Sequence, residues 1–278
     1  MVKNKKPIRK IPNELIDTFT TYGKSKLIYE YSDDSDQVAK YEIREENIRM
    51  MVEKIKNHET FPLSEDGMMG SSYENIDRGF YKILDSNNYD IQGKNILIIG
   101  TTNGWFESVV LAYGGIPHVV DYVDVEYDGE IIKFYKPEEL SKLDFKFDFC
   151  VSFSSYEHDG LGRYGDPINP DGDLKSMKGL KTIMKSDGIL FLAVPIGLDK
   201  VVFNLHRIYG KARLPLLFQE WKLLGSSGWW WDQLKGDFGC GHQPIFVLQN
   251  TDNKKYNTNY YKNLFKFGEI AMNDVVVY

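Results

Sequence analysis

An apolar run that leads through a glycine turn into a helical pattern constrains the fold more than any other feature of this sequence. The run covers residues 95–99, and the turn covers residues 100–104. The apolar spacing after the turn predicts a helix over residues 105–113, and the next apolar run predicts a strand at about residues 119–123. A strand, a crossover helix and a second strand form a βαβ unit, so the sequence predicts a doubly wound α/β sheet.

The chain divides into three predicted parts. Residues 1–92 form a mainly helical N-terminal cap or arm, because apolar residues recur at helical spacing in residues 48–55 and 76–84. Residues 93–250 form a Rossmann-like core, and residues 251–278 form a polar, tyrosine-rich tail that packs on the core or extends from it.

Local signals refine these parts. Ser71, with Glu74 three residues later, predicts the start of the second N-terminal helix. The preceding residues 66–70 form a flexible connection that could close over a ligand. In the core, the apolar patterns predict strands at residues 147–151, 189–194 and 245–248, and a helix that contains Met177, Leu180, Ile183 and Met184 and ends at Asp187 and Gly188.

A long polar segment follows the strand predicted at residues 147–151. Ser154, Glu157 and His158 leave the strand end, and a loop rich in glycine and proline then runs through residues 159–172. Loops of this length without periodicity are usually functional or disordered. We therefore expect the chemistry of the protein in this segment.

Composition limits the partners. A net charge of −6 argues against general nucleic-acid binding, which needs clustered Lys and Arg. No window approaches the roughly 20 apolar residues of a membrane span, and no apolar signal-peptide region is found near the start. Cys150 and Cys240 form neither a disulfide framework nor a metal-binding spacing. We expect a small-molecule partner and a cytoplasmic location; the sequence does not indicate the oligomeric state.

The order of the elements resembles that of a class I S-adenosylmethionine-dependent methyltransferase. Residues 154–158 match the Ser-x-x-Glu-His stretch that often follows the fourth strand of such enzymes, and residues 185–188 approximate the Lys-x-Gly-Gly turn before the fifth. The chain resembles the DUF268 family, a methyltransferase-like group, over about residues 68–248. The residues that carry this resemblance are Ser154, Ser155, Glu157, His158, Gly160, Leu161, Gly162, Arg163, Tyr164, Gly165, Asp166, Pro167, Gly172, Asp173, Met177, Asn204, His206, Arg207, Tyr209, Gly210, Gln243 and Pro244.

The resemblance implies a Rossmann-like class I methyltransferase sheet with an N-terminal helical cap, and S-adenosylmethionine as the cofactor. The predicted cofactor contacts are Gly100, Thr101, Asn103, Gly104, Asp124, Ser154 and Glu157. An acid about 20 residues after the first glycine typically holds the cofactor ribose. Asp121, Asp124 and Glu126 all fall near that position, and we favour Asp124 as the residue at the predicted strand end; a solvent-facing charge is the alternative.

The glycine turn departs from the usual methyltransferase pattern. Ile98 and Ile99 precede it, where methyltransferases usually have an acid in the first strand. It also lacks the full Gly-x-Gly-x-x-Gly pattern, so its glycines could serve only the sharp strand-to-helix bend.

His158 is the predicted catalytic base, because its unperturbed pKa lies near neutrality and the loop after it can place an acceptor beside it. Glu157 and His158 are expected to point to different sides, with Glu157 toward the cofactor. The alternative is that His158 only caps backbone groups of the loop. His206 is the reserve base.

Substrate contacts are predicted at Arg163, Tyr164, Asp166, Arg207 and Tyr209, against the alternative that these residues only pack the loop. A divalent cation on Asp166, Asp171 and Asp173 is possible but not favoured, because such residues more often make turns and helix caps.

These features predict an S-adenosylmethionine-dependent O-methyltransferase that acts on a small molecule. An analogy with the family favours a hydroxyl of a sugar, a sugar nucleotide or another glycan precursor. One alternative is a nucleotide-sugar-processing or glycosyltransferase-like enzyme on the same platform. Another is a catalytically silent binding module in glycan assembly, and the fold alone cannot choose among the three.

Overall fold

The computed structural model describes residues 6–35, 41–59, 76–86, 88–267 and 276–278. The strands are β1 (Lys26–Tyr29), β2 (Tyr41–Ile43), β3 (Asn95–Ile99), β4 (Ile116–Val120), β5 (Val125–Tyr127), β6 (Lys133–Tyr135), β7 (Phe147–Phe153), β8 (Met184–Ala193), β9 (Lys200–Phe203), β10 (His206–Ile208), β11 (Trp221–Ser227), β12 (Ile245–Asn250) and β13 (Val276–Val277). The helices are α1 (Ile16–Phe19), α2 (Glu45–Lys56), α3 (Ile76–Asp85), α4 (Trp105–Ala112), α5 (Pro137–Leu140), α6 (Gly172–Ile183), α7 (Leu214–Leu217) and α8 (Thr258–Phe267).

The central sheet has the order β13-β11-β12-β8-β7-β3-β4-β6. Strands β6, β4, β3, β7 and β8 are parallel, whereas β12 runs antiparallel to both β8 and β11. The chain moves outward from β3 through β4 to β6, and then returns to the other side of β3 to form β7 and β8. The switch point therefore lies between β3 and β7, where open α/β sheets bind their ligands. The predicted Rossmann-like class I methyltransferase sheet is confirmed.

Alternating side chains of the sheet divide the core into two layers. In β3, Ile96 and Ile98 join an apolar cluster with α2, α3 and α4, whereas Leu97 joins a second cluster with α6, α7 and α8. This alternation is the expected consequence of the period of two along a strand, and a parallel sheet covered on both faces has apolar residues on both. The apolar run at residues 95–99 thus reflects burial on both sides.

The N-terminal region is only partly helical. Helices α2 and α3 agree with the predicted spacing, but β1 pairs with β9 and β2 pairs with β5. The prediction of a mainly helical region up to residue 92 is therefore wrong for these two strands, which are too short to show a clear alternation. The helix start at Ser71 and the connection at residues 66–70 lie outside the described residues. The three-part domain division stays a prediction.

Several predicted boundaries shift. Strand β4 ends at Val120 rather than near residue 123, and α6 ends at Ile183 rather than at Asp187. Residues 185–188 belong to the beginning of β8, where residues 185–187 are exposed and the pairing with β7 is irregular, and not to a turn. The tail contains α8, which buries Tyr261, Leu264 and Phe265 against the core. Within the described part of the chain, no helix is long and apolar enough to cross a membrane.

Candidate active site

The glycine turn lies at the switch point of the sheet. Gly100 has a φ of +76°, and its N–H donates to the carbonyl of Val120 in the neighbouring strand at 3.0 Å. A Cβ at this position would lie 3.6 Å from Ser155 Oγ, which follows β7. There is space for a side chain, so the left-handed backbone is what requires glycine. The turn thus connects the carboxyl ends of β4, β3 and β7.

Asp121 is the acid that meets the turn. Its Oδ2 accepts the N–H of Thr101 at 3.1 Å, and its Oδ1 accepts the N–H of Val123 at 2.9 Å. Asp124, the predicted ribose ligand, is instead 65% exposed and pairs with Lys136 at 2.8 Å. Asp124 stays a prediction for the ribose contact; because β4 ends three residues earlier than expected, Asp121 is the first residue after the strand.

The other two predicted contacts of the turn, Asn103 and Gly104, support the local structure. Asn103 Oδ1 accepts the N–H of Trp105 at 3.1 Å, which forms an Asx turn just before α4. Gly104 has a φ of +78°, and a Cβ there would overlap the Ile48 side chain of α2. Gly104 thus allows α2 to pack on the turn, and its role as a cofactor contact stays a prediction.

Glu107, which sequence reasoning missed, is completely buried in the first turn of α4. Neither carboxylate oxygen has a hydrogen-bond partner among the described residues. Burial raises the pKa of Glu107 to about 7, although an interaction with the Thr101 side chain opposes the shift. An acid inside the otherwise apolar stretch 105–112 was the available signal.

Ser154, Glu157 and Gln243 form a hydrogen-bonded network beyond β7. Ser154, in a left-handed conformation with a φ of +53°, donates its hydroxyl to Glu157 Oε1 at 2.6 Å and accepts from Gln243 Nε2 at 2.9 Å. Glu157 is 1% exposed, and burial raises its pKa to about 7. Among the described residues, Glu157 Oε2 and Gln243 Oε1 have no partner. Gln243 was not among the predicted site residues.

His158 has a defined tautomer. Its Nδ1 lies 2.6 Å from the carbonyl oxygen of Leu205, so this nitrogen must carry the hydrogen and donate. The other nitrogen, Nε2, keeps its lone pair and lies 3.7 Å from Glu157 Oε1. Burial lowers the pKa of His158 to about 4. The expectation that Glu157 and His158 point to different sides is wrong.

His206 lies in β10, near His158. Its pKa is lowered to about 4, first by burial and then by the charge of His158. His206 is half-buried. Among the described residues, no hydrogen bond defines its tautomer in the way that the Leu205 carbonyl defines that of His158.

Tyr164 lies next to His158, and Arg163 lies next to Tyr164. Arg163 Nε forms an ion pair with Asp34 of the N-terminal region, and the guanidinium lies 5.2 Å from the centre of the Tyr164 ring. The Tyr164 ring is 39% exposed and meets the His158 ring edge-on at 5.8 Å. Their proximity to His158 agrees with the predicted location, while the Asp34 contact gives Arg163 a partner within the chain.

The other predicted substrate contacts are part of the loop scaffold. Asp166 Oδ2 accepts the N–H groups of Gly160 and Gly162 at 2.8 and 3.1 Å. Arg207 is completely buried and donates to the carbonyl of Asp159 at 2.7 Å. Asp166 and Arg207 stay predicted substrate contacts, and their observed hydrogen bonds hold the loop.

Tyr209 belongs to the same scaffold, which is centred on Asp173. The Tyr209 hydroxyl donates to Asp173 Oδ2 at 3.0 Å, and Arg213 binds both Asp173 oxygens, at 2.9 and 2.6 Å. Tyr209 and Asp173 are completely buried and bonded to each other, so Tyr209 holds the scaffold; its role as a substrate contact stays a prediction. Asp173 and Asp166 are already bonded, and no group of three potential metal ligands occurs in the described ranges.

Comparison with known proteins agrees with the family expectation. Residues 93–229 match the family described as "Caenorhabditis protein of unknown function, DUF268". The resemblance to DUF268 is confirmed over these residues. The match is shorter than the expected span of residues 68–248, and it includes β3, the glycine turn, the loop and Tyr209 of the scaffold. No curated protein matches the chain.

Solved structures of methyltransferases are among those similar to this chain. The Burkholderia thailandensis 1,6-didemethyltoxoflavin-N1-methyltransferase, solved with S-adenosylhomocysteine, is 18% identical, with a TM-score of 0.44 over 62% of this chain and 76% of that one. The N-methyltransferase NodS from Bradyrhizobium japonicum WM9, also solved with S-adenosylhomocysteine, is 10% identical, with a TM-score of 0.43 over 73% of this chain and 98% of that one. The assignment of the fold rests on the strand order of this chain.

Proposed function

We propose that the protein transfers a methyl group from S-adenosylmethionine to a hydroxyl of a small molecule, with a sugar or another glycan precursor as the preferred acceptor. One observation carries the proposal: the Gly100 turn is bonded to Asp121 at the switch point, directly beside the end of β7 that presents His158. Open α/β sheets bind ligands at this position.

The residues at the turn suit an adenosyl cofactor. Gly100 provides a side-chain-free bend, and the Asp121 carboxylate lies at the end of the neighbouring strand, where it can accept hydrogen bonds from a ribose diol. Thr101 is mostly buried next to Asp121 and holds it through the backbone N–H. Buried Glu157, beyond the end of β7, has a carboxylate oxygen without a partner among the described residues.

S-adenosylmethionine supplies a methyl group on a sulfonium, which takes the electron pair of the broken S–C bond and leaves as a neutral thioether. The chain must position the acceptor hydroxyl for in-line attack and remove its proton as the O–C bond forms. Positioning can contribute about 7–11 kcal/mol, and a positioned base typically adds about 10²- to 10⁴-fold. The proton goes to His158 Nε2, because Nδ1 already carries a hydrogen bonded to Leu205.

Glu157 assists His158 electrostatically. When its carboxyl is ionised, a negative charge lies 3.7 Å from the nitrogen that receives the proton, and it stabilises the resulting imidazolium. When the carboxyl is protonated, that stabilisation is lost. Glu157 is thus a positioning residue for the base, and the pKa of about 7 sets the pH at which the assistance begins.

A thermal-shift panel tests the proposal. S-adenosylmethionine and S-adenosylhomocysteine bind only the folded protein and should raise its melting temperature by mass action. Stabilisation by nucleotide sugars alone would favour a nucleotide-sugar-processing or glycosyltransferase-like enzyme. A protein stabilised by none of these compounds would agree with a silent binding module and contradict methyl transfer.

A further inference from the structure

The arginines near His158 already have partners of opposite charge or backbone acceptors. Arg207 donates to the carbonyls of Asp159 and Pro170, at 2.7 and 3.3 Å. Arg213 binds Asp173 through two nitrogens, and Arg163 pairs with Asp34. The charges that would hold a phosphate or carboxylate of a substrate are therefore balanced within the chain.

The end of β7 instead offers hydrogen-bond acceptors. Glu157 Oε2 and Gln243 Oε1 are buried without a partner among the described residues, and both side chains bond the same Ser154 hydroxyl, at 2.6 and 2.9 Å. Glu157 is 1% exposed and Gln243 is 8% exposed. Buried acceptors in native proteins are nearly always paired, so these two require hydrogen donors that the described residues do not provide.

The surroundings favour an uncharged or positively charged ligand. Burial lowers the pKa values of His158 and His206, so both rings are neutral at physiological pH. Tyr164, with its partly exposed ring against His158, adds a surface with an apolar face and a polar tip. A phosphate or carboxylate would bring only acceptor oxygens to Glu157 and would be repelled by its carboxylate.

We propose that Glu157 and Gln243 form the acceptor subsite, and that it takes a polyol, either uncharged or bearing an amine, in preference to phosphorylated or carboxylated compounds. The inference rests on the proposed methyl transfer. Each hydroxyl or ammonium group of such an acceptor supplies donors for the two free oxygens, while a neighbouring hydroxyl lies beside His158 Nε2. Gln243 then determines specificity through a contact that neither the cofactor nor the base provides.

The charge class of the acceptor can be measured before the acceptor is identified. A small-molecule extract of the source cells is first separated by ion exchange into anionic, neutral and cationic fractions. The protein is incubated with each fraction and with S-adenosylmethionine labelled in the methyl group, and the unreacted S-adenosylmethionine, itself a cation, is removed before the label in the products is counted. We expect at least about tenfold more label in the neutral and cationic fractions together than in the anionic fraction. Label mainly in the anionic fraction would overturn the subsite. No label in any fraction would overturn the proposed methyl transfer itself.

A pair of variants then tests Gln243, with the extract fraction that accepts label as the substrate. Gln243→Leu should raise the KM for the acceptor about tenfold, the effect of losing one hydrogen bond to a buried group, with unchanged affinity for S-adenosylhomocysteine by calorimetry. Gln249→Leu, which changes a glutamine in β12 outside the Ser154 network, is the matched control and should change neither quantity. An unchanged KM in Gln243→Leu contradicts the subsite. Loss of S-adenosylhomocysteine affinity in Gln243→Leu would also contradict the subsite, because the hydrogen-bonded network of Ser154, Glu157 and Gln243 would then support the fold or bind the cofactor.

Discussion

The loop at residues 159–172 and the strand ends at the switch point contain similar polar residues but use them in opposite ways. Asp166 of the loop is bonded by backbone N–H groups, and Asp173, which follows the loop in α6, is bonded by Arg213 and Tyr209. Glu157, beyond the end of β7, and Glu107, in the first turn of the helix after the glycine turn, are equally buried but have oxygens without partners in the described structure. The carboxylates of Asp166 and Asp173 are therefore used within the chain, whereas the two glutamates keep unmet hydrogen-bonding capacity, which is the better indicator of a ligand site.

The largest effect is expected at the centre of the scaffold. Asp173→Ala leaves the buried Arg213 guanidinium without its bidentate partner and should lower the free energy of unfolding by about 3–5 kcal/mol. Urea denaturation measures the change. Asp171→Ala is the control: its carboxylate is half-exposed and 3.9 Å from Arg213, so a change below about 1 kcal/mol is expected. Equal effects of the two changes would show that the scaffold does not depend on Asp173.

At the strand ends, the largest effect should be on turnover. His158→Ala removes the nitrogen proposed to take the acceptor proton, and should lower turnover about 10²- to 10⁴-fold with little change in affinity for S-adenosylhomocysteine. Methyl transfer to the extract fraction that accepts label measures turnover, and calorimetry measures the affinity for S-adenosylhomocysteine. His206→Ala, the neighbouring histidine, should reduce turnover much less. Full turnover of His158→Ala would place the base elsewhere, and a loss of stability would assign His158 to the loop structure.

Glu107 allows the unmet hydrogen-bonding capacity to be tested through the free energy of unfolding. Burial raises the pKa of Glu107 to about 7 in the folded chain, above the ordinary value of 4.5. The contribution of Glu107 to the free energy of unfolding is therefore most favourable below pH 4.5 and is lost as the pH rises through 7. Glu107→Gln removes this titration and should stabilise the protein by about 3 kcal/mol at pH 8, with little gain at pH 5. Denaturation at both pH values measures the difference. Glu46→Gln, at an exposed position in the first turn of α2, is the matched control and should change the free energy of unfolding by less than about 0.5 kcal/mol.

A smaller effect is expected in the pH profile of turnover. The pKa of Glu157 is raised to about 7, so its carboxylate is present above that pH and is lost below it, whereas His158, with a pKa of about 4, remains neutral throughout. Turnover should therefore rise about tenfold between pH 6 and pH 8. Glu157→Gln should remove this rise. A rise that persists in the variant would assign the titration to another group.

The sequence predicts the sheet and the location of the site because both depend on local patterns. The apolar run of residues 95–99, the glycine turn and the polar strand end at Ser154 each indicate one element and its end. It does not predict the partners of Arg207 and Asp166, since the same residue types bind ligands and hold loops, and tertiary packing decides between the two. Asp124 is favoured over Asp121 from the sequence because the end of a strand is uncertain by a few residues.

Glu107 and Gln243 show a different limit of the sequence. A glutamate in a helix ordinarily faces solvent, and a glutamine before a strand ordinarily lies in a loop, so neither residue type indicates burial. What makes them notable is the absence of a partner among the described residues, which only the three-dimensional arrangement reveals.

The central claim is that the Gly100 turn and Asp121 hold an adenosyl cofactor at the switch point. Calorimetric titration with S-adenosylhomocysteine of the wild-type protein, Asp121→Ala and the matched control Asp124→Ala tests it most directly. Loss of hydrogen bonds to a carboxylate should weaken binding at least about tenfold in Asp121→Ala, while Asp124→Ala, which removes only an exposed ion pair with Lys136, should bind like the wild type. The account is contradicted if the wild-type protein does not bind S-adenosylhomocysteine, or if Asp124→Ala loses affinity and Asp121→Ala does not.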